Sequence, residues 1–167
     1  KSTDNGLNWA NPINLTNNPG LSLHPSLAID ASNDLHLVYE EYNTCWEVFY
    51  HKSTGGTFTG AATKLSGEND ATTPVLTIAP NGRVHLVYTE YFAGNSEIIY
   101  RQFDGGWTAP LNISNSAGLS YSPSLVTDSN NDIHLVWVGD ELTPGNGQIL
   151  YRRTVSGAWQ PGVTNIS

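Results

Sequence analysis

The sequence predicts an all-β fold assembled from a repeated four-stranded unit, on the strength of three observations. The first is a repeat: Leu35-His36-Leu37-Val38-Tyr39, Val84-His85-Leu86-Val87-Tyr88 and Ile133-His134-Leu135-Val136-Trp137 stand 49 residues apart both times. The second is composition: Gly 16, Pro 9, Trp 5 and Tyr 8 among 167 residues, with abundant Asn, Ser and Thr, favour turns and strands over helices. The third is that the repeated runs are apolar at nearly every position, as strands buried on both faces must be.

Each unit reads as four strands, A to D, in a meander. Strand A is Pro25-Ser26-Leu27-Ala28-Ile29, Pro74-Val75-Leu76-Thr77-Ile78 or Pro123-Ser124-Leu125-Val126-Thr127. Turn signals follow it at Asp30 to Asp34, Ala79 to Gly82 and Asp128 to Asp132, and the apolar run after them is strand B. Strand C is Glu47-Val48-Phe49-Tyr50, Glu97-Ile98-Ile99-Tyr100 or Gln148-Ile149-Leu150-Tyr151. Strand D closes each unit as Lys64-Leu65-Ser66, Asn112-Ile113-Ser114 or Asn165-Ile166-Ser167, and the same ending stands early as Asn14-Leu15-Thr16. Four strands in about 40 to 50 residues are the mark of a β-propeller blade. A two-sheet sandwich is the competing fold, but it calls for cleaner alternation in strand B. The expected organisation is the outermost strand of a preceding blade over residues 1–16, blade 1 over 17–66, blade 2 over 67–114 and blade 3 over 115–167.

Charge narrows the partners. Lys+Arg 7 against Asp+Glu 15 gives a net charge of -8, without the basic footprint that nucleic acid or an anionic membrane requires, so neither is expected. There is no apolar run of membrane-spanning length. Cys45, the sole cysteine, excludes an intrachain disulfide and reads as an inert thiol or an interchain bridge. Low Lys with abundant Asn, Thr, Trp and Gly suits an extracellular protein.

Ser2-Thr3-Asp4-Asn5-Gly6-Leu7-Asn8-Trp9 fits Ser-x-Asp-x-Gly-x-x-Trp. Its Asp can accept amide hydrogen bonds within its own turn, its Gly permits a positive φ, and its Trp packs the outer strand on the blade. Eroded copies follow in register at Ser53 to Phe58, Asp104 to Trp107 and Ser156 to Trp159. The chain thus resembles the Asp-box, or bacterial-neuraminidase-repeat, propellers of sialidase-like proteins over nearly its whole length. That resemblance implies that Ser2, Asp4, Gly6 and Trp9 are structural, forming a turn between strands C and D, and it does not imply sialidase activity.

In a meander around an axis the A–B and C–D turns share one face, and the B–C and D–A loops share the other. The second face gathers the ligand-binding candidates Glu41, Tyr42, Trp46, Glu90, Tyr91, Phe92, Asp140 and Glu141, with Glu40 beside them and His24, Asp70 and Tyr121 from the D–A loops. Aromatic rings beside carboxylates suit a saccharide, since rings stack on the apolar face of a pyranose and carboxylates accept from its hydroxyls. A glycan or another extracellular ligand is therefore expected on this face, with a purely structural or protein-interaction scaffold as the bland alternative.

A catalytic alternative, part of a sialidase-like glycoside hydrolase, has paired carboxylates in its favour. The family resemblance implies an arginine triad for that chemistry, with a Tyr/Glu nucleophile pair and an Asp acid. The chain has Arg83, Arg101, Arg152 and Arg153; Arg101 and Arg152 occupy equivalent positions matched by His51, and Arg83 lies on the turn face. No catalytic residue is assigned. His36, His85 and His134, a blade apart within aliphatic strands, read as satisfied interblade histidines; no metal or cofactor is expected. The sequons at Asn14, Asn112 and Asn165 fall at equivalent strand D positions.

A propeller is stable because each sheet is covered by the next, and three blades do not close. The expectation is the remainder of a longer propeller chain or a homo-oligomer forming a ring of about six or more blades, with the N-terminal strand pairing across the junction.

Overall fold

The computed structural model describes residues 1–92, 94–140 and 145–167, and every regular element in it is a strand. Blade 1 comprises β1 (Ser22–Ile29), β2 (Leu35–Tyr42), β3 (Trp46–Thr54), β4 (Thr57–Phe58) and β5 (Thr63–Lys64). Blade 2 comprises β6 (Ala71–Ile78), β7 (Val84–Phe92), β8 (Asn95–Phe103) and β9 (Leu111–Asn112). Blade 3 comprises β10 (Ser120–Thr127), β11 (Ile133–Gly139), β12 (Gln148–Val155), β13 (Ala158–Trp159) and β14 (Thr164–Asn165). All pairings are antiparallel and in sequence order, giving the expected A-B-C-D meander in each blade.

Strand D is less regular than its sequence suggests. In blades 1 and 3 it is two short pieces, both paired with strand C, and in blade 2 a lone bridge between Phe103 and Trp107 stands for the first piece. Its asparagines fold onto their own strand end: Asn14 Oδ1 accepts from Thr16 N at 3.2 Å, and Asn165 Oδ1 accepts from Ser167 N at 3.0 Å. Turn chemistry thus accounts for the recurring Asn-x-Ser/Thr.

Each strand A carries a bulge just before its proline, where the register slips between Leu23 and Ser26, Thr72 and Val75, and Tyr121 and Ser124. The residue at the slip takes a left-handed conformation: His24 at φ 47°, Thr73 at φ 51° and Ser122 at φ 53°. For β-branched Thr73 that conformation is strained.

The core lies between blades. Val38, Val48, Tyr50 and Leu65 of blade 1 pack on Leu76, Leu86, Tyr88 and Ile99 of blade 2. Val87, Ile98, Tyr100 and Ile113 of blade 2 then pack on Leu125, Leu135, Trp137 and Leu150 of blade 3. The strand C tyrosine meets the C–D turn tryptophan of the next blade edge to face, Tyr50 with Trp107 at 5.0 Å and Tyr100 with Trp159 at 5.3 Å. Arg101 reaches back to the carbonyl of Leu65, and Arg152 to that of Ile113 at 2.7 Å, so each arginine staples a blade to the strand D before it.

No strand forms before Ser22. The turn from Ser2 to Trp9 does close: Asp4 Oδ1 accepts from Asn8 N at 2.9 Å, Gly6 N donates to Ser2 Oγ at 2.8 Å, and Ala10 N donates to Lys1 O at 3.0 Å. Yet the expected outermost strand over residues 1–16 is not formed. An outer strand exists only as the partner of its own blade's strand C, and no described residues lie beside it in that role. Trp9 is accordingly exposed. Leu15 still lies where a preceding strand D belongs, near Tyr39 and Phe49 of blade 1, with a cavity of about 320 Å³ beside it.

Both outer faces of the arc are open. Leu27 is 58% exposed, whereas Leu76 and Leu125 at the same position are 6% and 5% exposed. At the other end Ile149 is 40% exposed and its counterpart Ile98 0%. These two isoleucines give a matched test by urea unfolding. Ile98→Ala should cost about 2–5 kcal/mol, while Ile149→Ala should cost about 1 kcal/mol or less. An equal loss at the two positions would mean that the outer face of blade 3 is covered in solution.

Candidate functional site

The ends of strands B and the starts of strands C meet on the face opposite the Ser2–Trp9 turn. In blade 1, Glu41 lies directly across from Glu47, and Tyr42 from Trp46. In blade 2, Glu90 lies across from Glu97, and Tyr91 from Ser96. Alternation along the strands sends the two kinds of residue different ways. Glu90 follows Leu86 and Tyr88 on the side facing blade 1, whereas Tyr91 follows Val87 on the other.

The acids are buried. Glu40, Glu41, Glu90, Glu47 and Glu97 are all 9% exposed or less. Like charges directly opposite on paired strands repel, with Cβ atoms about 5 Å apart, so each needs compensation. Glu47 receives Asn43 Nδ2 at 2.6 Å and the Lys64 ammonium. Burial raises the Glu47 carboxyl, but the Lys64 and Asn43 hydrogen bonds outweigh it and leave it below its ordinary range. Glu97 receives the Ser114 hydroxyl, Asn95 Nδ2 at 3.0 Å and Ser116 N at 3.2 Å. Glu90 is the less compensated partner: burial raises its carboxyl above its ordinary range, and hydrogen bonds from Asn69 and Gly67 only partly offset that.

Glu40 joins two blades. Its Oε1 is 2.8 Å from His24 Nδ1, and its Oε2 accepts from Thr73 N at 2.6 Å, so it holds the strained bulge of blade 2 from blade 1. The signal for this tie in the sequence was the pre-proline residue repeated at His24, Thr73 and Ser122. His24 and Tyr121, expected in D–A loops, lie instead on β1 and β10, because strand A extends to the near side of its bulge.

Three rings on this face are accessible. Tyr42, Tyr91 and Phe92 are 45%, 48% and 39% exposed, and Trp46 packs edge-on to Tyr42 at 5.3 Å. Asp70 fixes the start of β3 by accepting from Trp46 N at 2.8 Å. In blade 3, Asp140 is used by its own loops, accepting from Leu119 N at 2.5 Å and Gly145 N at 3.0 Å. Glu141 lies outside the described residues. The half-buried Cys45 thiol is pushed up by burial, with Glu47 and Asp70 adding to it, so it is not an activated nucleophile. Among the described residues no three His, Cys, Asp or Glu side chains are placed to hold a metal, and the innermost strands β1, β6 and β10 carry no carboxylate.

No protein-family model matches the sequence, and no curated protein matches it. Solved structures do match in fold. A Hadza microbial sialidase superposes with a TM-score of 0.63 at 13% identity, over 83% of this chain and 36% of that one. The GH93 α-L-arabinofuranosidase of Fusarium graminearum gives 0.59 at 15% identity, over 86% and 48%. An endo-arabinase from Bacteroides thetaiotaomicron gives 0.54 at 14%, over 84% and 61%. At these identities the likeness shows the fold, a β-propeller segment similar to that of carbohydrate-active enzymes. The chain spans 36% to 61% of the length of those structures.

Glu90 makes the electrostatics testable. Its carboxyl stays protonated to higher pH in the folded chain than at its ordinary value of 4.5, so the folded state gains from the proton below that pH and loses that gain as pH rises. Glu90→Gln keeps an acceptor for the Gly67 amide without the charge. It should raise Tm at pH 7 and leave it unchanged below about pH 4. A Tm difference independent of pH would remove the burial argument.

Proposed function

We propose that the chain is an extracellular carbohydrate-binding propeller module, built on Asp-box turns, that holds a saccharide on the face opposite those turns without hydrolysing it. The observation that carries this reading is the division of labour on that face. Tyr42, Tyr91 and Phe92 present open rings, while the acids beneath them are buried, and Glu47 and Glu97 are engaged with Lys64, Asn43, Asn95 and the backbone. Open rings stack on sugar; engaged carboxylates shape the platform rather than transfer protons. Likeness of fold to a sialidase, an α-L-arabinofuranosidase and an endo-arabinase is consistent with this reading.

A glycan array followed by calorimetry on the selected oligosaccharide tests it. Tyr91→Ala and Trp46→Ala should each weaken binding about fivefold, the worth of one stacked ring. Absence of any glycan signal would sink the module reading.

One observation favours a hydrolase instead: Glu90, with its raised carboxyl, stands across the ladder from a second carboxyl group, Glu97, and paired carboxyl groups are what glycoside cleavage uses. Release of the fluorophore from a fluorogenic arabinofuranoside or sialoside, lost in Glu90→Gln, would establish that reading over the first. We further propose that the open faces of blades 1 and 3 are covered by further blades of the same repeat, from a longer chain or a second copy. Light scattering on this chain should give a multiple of 18.1 kDa. A folded, soluble monomer would overturn coverage by a second copy.

A further inference from the structure

A break in the internal repeat lies on the turn face, away from the aromatic rings, beside a cavity between blades 2 and 3. The cavity measures about 350 Å³, and its walls include Arg83, His85, Gln102, Asn131, Ile133 and Trp159. In blade 1 the equivalent place is filled from within. His36 Nδ1 is 2.8 Å from the Tyr50 hydroxyl, and its Nε2 is 3.1 Å from Asp30 Oδ2. A carboxylate can only accept, so Nε2 carries the proton and Nδ1 accepts from the tyrosine. Blade 3 repeats the arrangement, with His134 Nδ1 2.7 Å from the Tyr151 hydroxyl and Nε2 3.7 Å from Asp128 Oδ2.

Blade 2 keeps half of it. His85 Nδ1 lies 2.7 Å from the Tyr100 hydroxyl, which also has Gln102 Oε1 at 3.3 Å; when that hydroxyl donates to Nδ1, as in the other blades, Nε2 carries the proton. Position 79, however, is alanine where blades 1 and 3 have Asp30 and Asp128. His85 is 4% exposed, and its Nε2 has no hydrogen-bond partner among the described residues. A buried polar atom left without a partner is destabilising.

The charge around it also changes sign. Asp34 and Asp132 of the flanking blades correspond to Arg83, and the cross-strand neighbours Lys52 and Arg153 correspond to neutral Gln102. Where the other two histidines sit among carboxylates, His85 sits beside a guanidinium. Asp104 takes one edge of that guanidinium, through Nε at 3.0 Å, and its terminal nitrogens remain. Burial, with Arg83 adding to it, pulls His85 down to about 4, so at neutral pH the imidazole is an uncharged donor.

We propose that this cavity binds a small molecule through a carboxylate, which takes the place held in the other blades by the side chains of Asp30 and Asp128. One carboxylate oxygen accepts from His85 Nε2–H, the Arg83 guanidinium pairs with the group, and Trp159 forms an apolar wall for the remainder of the ligand. The volume admits a molecule the size of a sugar acid. The site is independent of the saccharide face and of whether that face binds anything.

The test follows the imidazole nitrogens of His85 by NMR while the chain is titrated with acetate and with D-glucuronate at constant ionic strength, D-glucose serving as the neutral control. A saturable shift of His85 Nε2 with either carboxylate, absent with glucose, is expected. Preference for glucuronate over acetate would identify a sugar acid, and the reverse a simple carboxylate. Ala79→Asp restores the repeat's own carboxylate: it should abolish the shift and move His85 toward the resonances of His36. Arg83→Gln should weaken binding about tenfold, the worth of one charge-assisted contact, and it decides the matter if Ala79→Asp does not fold by near-UV circular dichroism. No saturable shift with either carboxylate, an equal response to glucose, or undiminished binding in a folded Ala79→Asp or Arg83→Gln chain would overturn the proposal.

Discussion

Every sheet in this chain has two apolar faces, and only another sheet can cover each of them. The consequences are visible along β7, where Leu86, Val87 and Tyr88 are consecutive and all fully buried, the first and third against blade 1 and the second against blade 3. A sheet with one wet face would show alternation there. The same constraint sets the value of the Tyr–Trp contacts and of Arg101 and Arg152, which tie polar strand ends of neighbouring blades together where apolar packing thins out. It also fixes which parts of the chain are unfinished. Leu27, Ile149 and Ile166 are exposed because no neighbouring blade covers them, although each belongs to a repeat position that is buried elsewhere.

Burial on both sides turns polar residues into a structural problem. A charged group between sheets needs partners supplied by the next blade or by its own loops. Glu40 meets that need with His24 and the Thr73 amide, and Glu97 with Ser114, Ser116 and Asn95. These contacts explain why the strand-end glutamates of the loop face are buried although the sequence there is acidic. They also lock the D–A loops over the strand ends, which gives the rings of Tyr42, Tyr91 and Phe92 a fixed base.

The blades were legible in the sequence because their determinants are local: a 49-residue period, turn residues at fixed offsets, and apolar runs in strand B. What the sequence hid depends on contacts between units. Glu41 and Glu90 read as loop-end acids open to ligand, but whether a strand-end carboxylate meets water is decided by the loop that folds across it from another part of the chain. The bulges before Pro25, Pro74 and Pro123 were hidden for a similar reason, as a register slip is a property of a pair of strands. Residues 1–16 carry the pattern of an outer strand, yet pattern alone does not make a strand without its partner.

An internal repeat offers its own standard of comparison, and blade 2 departs from that standard twice within one turn. In blades 1 and 3, Asp34 and Asp132 accept from the C–D turn amides of Gly55 and Gly157, at 2.7 Å and 3.1 Å. In blade 2 the roles are exchanged: Arg83 replaces the acid, and the C–D turn supplies Asp104 to receive it. That substitution is compensated within the fold, so it requires no ligand to explain it. The change from aspartate to alanine at position 79 is compensated only in the turn, where Asn81 Oδ1 accepts from Arg83 N at 3.0 Å as Asp30 Oδ1 accepts from Asp34 N in blade 1. It removes the acceptor of His85 and leaves Nε2 unmet in a residue that lines the cavity. A turn that needed only to be shortened or neutralised could have lost the histidine together with the aspartate, since the Tyr100 ring is held independently by Trp159. Retention of the donor without its acceptor is what distinguishes a place prepared for a carboxylate from ordinary erosion of a repeat.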